Sequence, residues 1–351
     1  MTEPLYRRTD LSMGTLVTID VAGYSRASEQ QEGSTSVEAA VERAFDWFRE
    51  IEECCSRFDP QSELSRLCAT VGVEVPVSSI LFQAVQFALA VAEETRGAFD
   101  PTVGAAMESR GFNRNYLTGE IVRNSSAHGR RGDANYRDVQ LDAQRKTITL
   151  LRPLLLDLGA VAKGLAIDMA AHELRPFANF SINAGGDIYV AGHNSKGEPW
   201  SVGIRHPRIP GTLIDVLNVS NCAVCTSGDY ERRCKEVEPA NGNSGEHHIF
   251  DPRPGHSPRA TASATVIAPT AMLADALATA AFVLGPTDGI ALLERLNVNG
   301  LIFSAALDRH ATRNLGRGLG SAASEDLSED LNVAPRSSAR HSDSAFPRNA
   351  Q

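Results

Sequence analysis

The chain has 351 residues, 42% of them hydrophobic, which is ample for one large core or two moderate ones. Six cysteines in so long a chain exclude a disulfide scaffold and suit a reducing compartment. A formal charge of −9 argues against a nucleic acid or an anionic membrane as the main partner, so an anionic substrate has to be held locally, by backbone amides, a single lysine or a metal ion.

In chain order, the first residues carry no apolar targeting segment and lead directly into Leu16–Val21, whose alternation predicts a half-buried strand. No stretch approaches a membrane span, so the expectation is a cytoplasmic protein. Val37, Val41, Phe45, Phe48 and Ile51 recur at helical spacing and predict a helix over 37–55; Ile80, Ala84, Phe87, Ala88 and Val91 predict a second over 79–95. The polar run 111–137 reads as a long loop, with Arg131-Gly-Asp133 as a solvated turn inside it. Strands follow at 146–150 and at Leu154–Asp157, then a turn of small residues and a helix over 161–174. Ser181-Ile-Asn183 is a short apolar segment, and further strands are predicted at 188–191, 200–205, 213–219, 222–226, 262–268 and 297–304, with a helix over 271–284 closed by Gly285-Pro286.

This order is not a regular βαβ alternation, and it predicts an α+β fold in a single catalytic domain over 1–315. From Gly316 the composition turns to Ser, Ala, Asp, Glu, Arg and Pro, which predicts a disordered polar tail over 316–351. Gly316-Arg-Gly318 follows no strand–helix unit and is not a dinucleotide fingerprint. Cys222 and Cys225 form a lone Cys-x-x-Cys; with no second pair at ligand spacing, they read as buried strand cysteines.

Three segments carry chemistry. Asp275 and Thr279 stand four apart on a predicted helix, so a carboxylate and a hydroxyl project from one face. Two hard oxygen donors suit a Mg²⁺ ion that completes its shell with phosphate and water; the alternative is a solvated pair, although the surrounding run is almost wholly apolar. Asp157-Leu-Gly-Ala-Val-Ala-Lys-Gly164 is a turn of small residues at a helix start, where free amides and Lys163 suit a phosphate; the alternative is a tight turn with a surface lysine. His247-His-Ile-Phe-Asp-Pro-Arg253 places imidazoles beside an aromatic residue and a turn, as a general base or as a structural histidine. Phe-Asp-Pro recurs at Phe58 and Phe99, so aromatic residues stand at similar turn edges.

Taken in order, these blocks resemble the ApbE family of FAD:protein FMN transferases: Met13-Gly-Thr15; Ser56-Arg-Phe-Asp-Pro60; Gly97-Ala-Phe-Asp-Pro-Thr-Val-Gly104; Asp157 to Gly164; Asn183-Ala-Gly-Gly-Asp187; Thr226-Ser-Gly-Asp-Tyr-Glu231; His248-Ile-Phe-Asp-Pro-Arg253; and Ala274 to Thr279. The resemblance implies FAD contacts at Met13, Phe58, Ala98, Phe99, Asp100, Asp157, Lys163 and Phe250. It implies magnesium at Asp275, Thr279 and the carbonyl of Ala160, and a general base at His248. The implied fold is an ApbE-like, T-fold-related arrangement of mixed sheets with packed helices. The implied reaction is transfer of FMN from FAD to a Thr or Ser hydroxyl of a target protein, a redox-complex subunit or flavin domain, with release of AMP. The alternatives are an FAD pyrophosphatase, which would use nearly the same residues, and a non-catalytic flavin-binding protein, which would bind FAD stoichiometrically and give no AMP. The chain departs from the family at residues 105–138, which match poorly, and at Pro254, where Thr is commoner.

Overall fold

In the computed structural model the described residues are 5–24, 36–115, 118–122, 134–231 and 247–315. The polar tail over 316–351, the Arg131–Asp133 turn and Gly316–Gly318 lie outside them.

The first predicted helix is α1, Val37–Cys55. Its start is set by Ser36, whose hydroxyl accepts the Ala39 amide at 3.4 Å, and its buried stripe includes Val37, Val41, Phe45, Phe48 and Ile51. A short helix α2, Glu63–Cys68, follows. The Glu63 carboxylate accepts the backbone N–H of Ser78 at 2.6 Å and its hydroxyl at 2.5 Å. Ser78 in turn caps α3, Ser79–Glu94, through the Leu81 amide at 3.2 Å. Thus two small caps and one carboxylate fix the helical entry to the molecule.

The main sheet is built from β1 (Leu5–Ser12), β2 (Thr15–Ala22), β6 (Asn179–Ala184), β7 (Asp187–Ala191), β10 (Cys222–Gly228), β11 (Thr261–Ala268), β12 (Asn299–Ser304) and β13 (Arg309–Ala311), hydrogen-bonded in that order. Each of its ladders is antiparallel. A second, three-stranded sheet joins β3 (Val75–Pro76), β5 (Thr147–Leu150) and β4 (Val139–Asp142), and a hairpin pairs β8 (Trp200–Arg205) with β9 (Leu213–Val219). One face of the main sheet packs on α1, α3, α5 (Gly159–Glu173) and α6 (Ala271–Arg295) around a core that includes Phe45, Phe48, Ile182, Cys225 and Phe282. The other face is covered by the β8–β9 hairpin through Val202, Ile204, Leu217 and Val219. Strand β11 lies between these layers and is buried along its whole length, which is why its sequence is apolar or small throughout. The arrangement is α+β, as expected.

Several expectations are corrected. The N-terminus does not run straight into β2: β1 precedes it as an edge strand, alternately exposed and half-buried, paired with β2 from Leu5 opposite Ala22 to Ser12 opposite Thr15. Leu154–Asp157 is not a strand but an extended segment held by one parallel bridge between Val103 and Leu155. The helix over 271–284 does break at Gly285-Pro286, as expected, but a second helical stretch that was not expected follows it. Gly285 takes φ 85°, ψ 175°, a conformation confined to glycine, and helical structure then resumes to Arg295, with Pro286 in a first-turn position where its missing N–H costs little. Taken across this kink, α6 covers 25 residues, enough by length and composition alone to cross a membrane, but it is two helical stretches and mostly buried within the fold. Part of the expected long loop is ordered as a 3₁₀ turn over Tyr136–Asp138.

Candidate active site at the crossing of two helices

Helices α5 and α6 approach each other more closely than ordinary side chains allow. A Cβ built on Gly164 would stand 2.4 Å from the Met272 Cα, so only glycine permits this crossing. Asp168, one turn farther along α5, accepts the amides of Ala271 at 2.6 Å and Met272 at 2.9 Å and so holds the first turn of α6. The crossing brings Lys163 of α5 to 4.0 Å from Asp275 of α6. Lys163 also forms an ion pair with Asp187, the first residue of β7, which is buried. Burial pulls the Lys163 ammonium down, but Asp187 and then Asp275 outweigh it and hold the group above the usual lysine range. Asp187 in turn accepts the Thr226 amide at 3.2 Å, and the next residue, Ser227, shares a 3.2 Å hydroxyl contact with Thr279. Asp275, Thr279, Lys163 and the small-residue turn therefore converge, with Ala160 half-buried on the first turn of α5.

The α5 turn is braced from behind. Asp157 receives Arg57 Nε at 2.6 Å and the Gly159 amide at 2.8 Å, and its own N–H is donated to the Pro101 carbonyl at 2.7 Å. The Arg57 guanidinium, 5% exposed, also reaches the Phe112 carbonyl at 2.5 Å and lies 4.1 Å from the centre of the Phe58 ring. Phe58 is thus tied to Asp157 through its neighbour. Met13 has a positive φ of 51° in the β1–β2 turn and donates its amide to Glu52 Oε2 at 2.8 Å, near the end of α1. Of the turn over 98–100, Ala98 and Phe99 are packed in the core. Asp100 is committed to holding the turn: Oδ1 accepts the Thr102 amide and hydroxyl at 2.9 and 2.7 Å, and Oδ2 accepts the Tyr136 amide at 3.1 Å. Burial nonetheless raises its carboxyl above the ordinary range.

The two adjacent histidines have different surroundings. His247 is buried; its ring contacts Phe282 edge-on with centroids 5.4 Å apart, and Nε2 lies 3.0 Å from the Pro258 carbonyl. Ser257 donates its hydroxyl to the His247 carbonyl at 2.8 Å. His248 is half-buried on the same segment. Phe250, two residues on, lies under the Arg110 guanidinium at 4.2 Å, and Arg110 also donates to the Gly255 carbonyl at 2.6 Å. Arg110 closes α4 (Gly104–Ser109), whose first amide is donated to the Leu155 carbonyl at 3.1 Å, so the histidine segment is moored to the same region as the α5 turn.

Residues 13–302 match the family model described as the ApbE family. The chain belongs to the ApbE family. It is 30% identical over 267 residues to an FAD:protein FMN transferase of Haemophilus influenzae, covering 71% of this chain and 74% of that one. It is 32% identical over 309 residues to an FAD:protein FMN transferase of Treponema pallidum, covering 82% and 81%. The crystal structure of the ApbE protein of Thermotoga maritima superposes with a TM-score of 0.74 at 29% identity over 89% of this chain and 98% of that one. The flavin transferase ApbE of Vibrio cholerae shares the fold, with a TM-score of 0.73 at 24% identity.

Sequence reasoning singled out Lys163, Asp157, Asp275 and Thr279 but gave no role to Arg57, Asp168, Asp187 or Ser227. Asp187 was legible only as the end of Asn183-Ala-Gly-Gly-Asp187, where paired glycines before an acid mark a built turn. Asp168 carries no local signal, because its partners are more than a hundred residues away. Cys222 and Cys225 are buried on β10, as expected, and face opposite sides of the sheet, Cys225 toward the helices and Cys222 toward the hairpin.

Proposed function

We propose that this chain is a magnesium-dependent transferase that moves the FMN half of FAD onto a Thr or Ser hydroxyl of a target protein through a phosphoester bond, releasing AMP. The observation that carries this reading is the convergence of Lys163, Asp275 and Thr279 at the α5–α6 crossing, within a chain of the ApbE family whose relatives are FAD:protein FMN transferases.

The donor set fits a magnesium ion. Among the described residues no group of three or more His, Cys, Asp or Glu side chains forms a ready cage. Asp275, 6% exposed, the Thr279 hydroxyl and the Ala160 carbonyl are instead hard oxygen donors of the kind that leave room for water and phosphate around Mg²⁺. When bound, the ion would offset charge on the dinucleotide's pyrophosphate.

The chain's own groups supply the rest. Lys163, kept protonated by Asp187 and Asp275, is a fixed cation for phosphate oxygens. Phe58 and Phe250 offer apolar faces to a flavin or adenine ring, each with a guanidinium stacked on it. His248 is the proposed base: it accepts the acceptor hydroxyl's proton as that oxygen attacks the FMN-side phosphorus and AMP departs. Free thiols among the described residues support a cytoplasmic setting.

Co-expression with a candidate acceptor and mass spectrometry tests the reaction. The expected result is a mass gain of one FMN at a Thr or Ser, with AMP in equal amount. Rapid FMN release from FAD and Mg²⁺ without an acceptor would instead identify a pyrophosphatase, and stoichiometric FAD binding with no AMP a flavin-binding protein.

A further inference from the structure

Asp168 lies outside the set of FAD, metal and base residues assigned above, yet it makes a direct polar link between the two helices that carry the metal residues and Lys163. Its carboxylate accepts two amides from the first turn of α6, at 2.6 Å from Ala271 and 2.9 Å from Met272. These are donors that a helix leaves without intrahelical partners, and a carboxylate at this end also lies favourably in the helix dipole. An N-cap ordinarily comes from the residue before the helix, and α6 has one: the Thr270 hydroxyl accepts the Leu273 amide at 3.3 Å. Asp168 is thus a second, tertiary cap supplied by another helix. Its position bears on the site. Asp275 lies four residues after Ala271, about 6 Å along the axis at 1.5 Å per residue. On the α5 side, Asp168 lies five residues after Lys163, whose ammonium is 4.0 Å from Asp275. Between them Gly164 sits against Met272, so the helices touch backbone to backbone with no side chain to absorb a shift.

We infer that Asp168 is a positioning residue for the magnesium site: by clamping the first turn of α6 to α5 it sets the distance between the donors of α6, Asp275 and Thr279, and the Ala160 carbonyl and Lys163 of α5. This rests on the reading of those residues as the magnesium and phosphate site. A metal that takes few protein ligands, drawn from two helices, depends on the registry of those helices, and supporting partners of metal sites commonly contribute 10- to 100-fold in affinity.

The test compares wild type with Asp168→Asn, Thr270→Ala and Asp275→Ala. Magnesium affinity is measured calorimetrically with FAD present, FAD affinity without metal by flavin fluorescence, and stability by thermal unfolding. Asp168→Asn keeps the shape but turns one amide acceptor into a donor; it is expected to weaken Mg²⁺ binding by about tenfold while metal-free FAD affinity stays within about twofold. Thr270→Ala removes the local cap, so it should lower the melting temperature while leaving magnesium affinity within about twofold. A magnesium affinity within about twofold of wild type in Asp168→Asn would overturn the inference and leave Asp168 a stabilising cap only. If Asp168→Asn does not fold, Ala271→Pro replaces it: proline is tolerated at the first helical position, Thr270 is already extended at φ −126°, ψ 151°, and the 2.6 Å donor is deleted. The same loss of magnesium affinity is expected there, and an unchanged affinity overturns the inference. Should wild type bind no Mg²⁺, or Asp275→Ala bind it as well as wild type, the magnesium reading of the site falls, and that outcome is distinct from unchanged affinity in Asp168→Asn.

Discussion

Arg57 and Asp157, one hundred residues apart, meet at 2.6 Å behind the turn that begins α5. The guanidinium is buried, stacks on Phe58 and bonds the Phe112 carbonyl, so one side chain ties a candidate flavin contact, a loop and the turn that begins α5 together. Removing one member of a buried charge pair costs more than the pair itself contributes. Arg57→Ala is therefore expected to destabilise the protein by about 3 kcal/mol and to weaken FAD binding. Arg57→Lys should restore only part of both, because an ammonium lacks the planar fork that serves two acceptors at once. Chemical denaturation and FAD titration check this; full recovery in the lysine variant would show that charge alone matters.

Lys163 sits between Asp187 and Asp275, and its loss leaves both carboxylates facing each other's charge. Lys163→Ala should cost about 3 kcal/mol, and Lys163→Ala with Asp187→Asn less than the sum of the two singles. The pH dependence follows from direction. The folded-state pKa is raised above the unfolded one, so the stabilisation is fully present below the ordinary lysine pKa and is lost only as pH rises through the folded value. The stability difference between wild type and Lys163→Ala is thus expected to be flat from about pH 6 to pH 9. A difference that shrinks within that window would show that Lys163 is not held as a cation.

His247 and His248 are adjacent, but only His247 is packed between Phe282 and Pro258. His247→Ala is expected to lower the melting temperature. His248→Ala should fold normally and bind FAD, yet transfer FMN about 10²- to 10⁴-fold more slowly, the usual contribution of a general base. Single-turnover transfer to an acceptor protein separates them, and full transfer by His248→Ala would remove it from the mechanism.

The thiols of β10 are expected to be inert. Burial pushes the Cys222 thiol up to about 11 and the Cys225 thiol well above its ordinary value, so at pH 8 both hold less thiolate than a free cysteine. Alkylation of the native protein followed by mass spectrometry should leave both unlabelled, and both should react after denaturation. Their opposite orientations make an intrastrand disulfide unfavourable.

Local patterns carried much of this molecule. Helical spacing in Val37–Cys55 and Ser79–Glu94, alternation in Thr15–Ala22, and the α+β order were readable because each depends on neighbours a few residues apart. Leu5–Ser12 escaped, since an edge strand with half its residues exposed has a weak apolar alternation and owes its form to pairing with β2. Gly285-Pro286 marked a true break in helical geometry, as expected; the helical stretch that follows to Arg295 was not read, and it packs buried residues such as Leu292 and Leu293 into the fold.

The sequence alone determined which chemical groups were available: an oxygen pair at Asp275 and Thr279, an amide-rich turn with Lys163, and two histidines beside Phe250. Only the tertiary structure decided which of them meet, and that Arg57, Asp187 and Asp168 hold them there. The reason is range. A four-residue spacing is set by helix geometry within one segment, whereas the Lys163–Asp275 approach depends on a glycine crossing and a carboxylate clamp between helices that the chain separates by about a hundred residues.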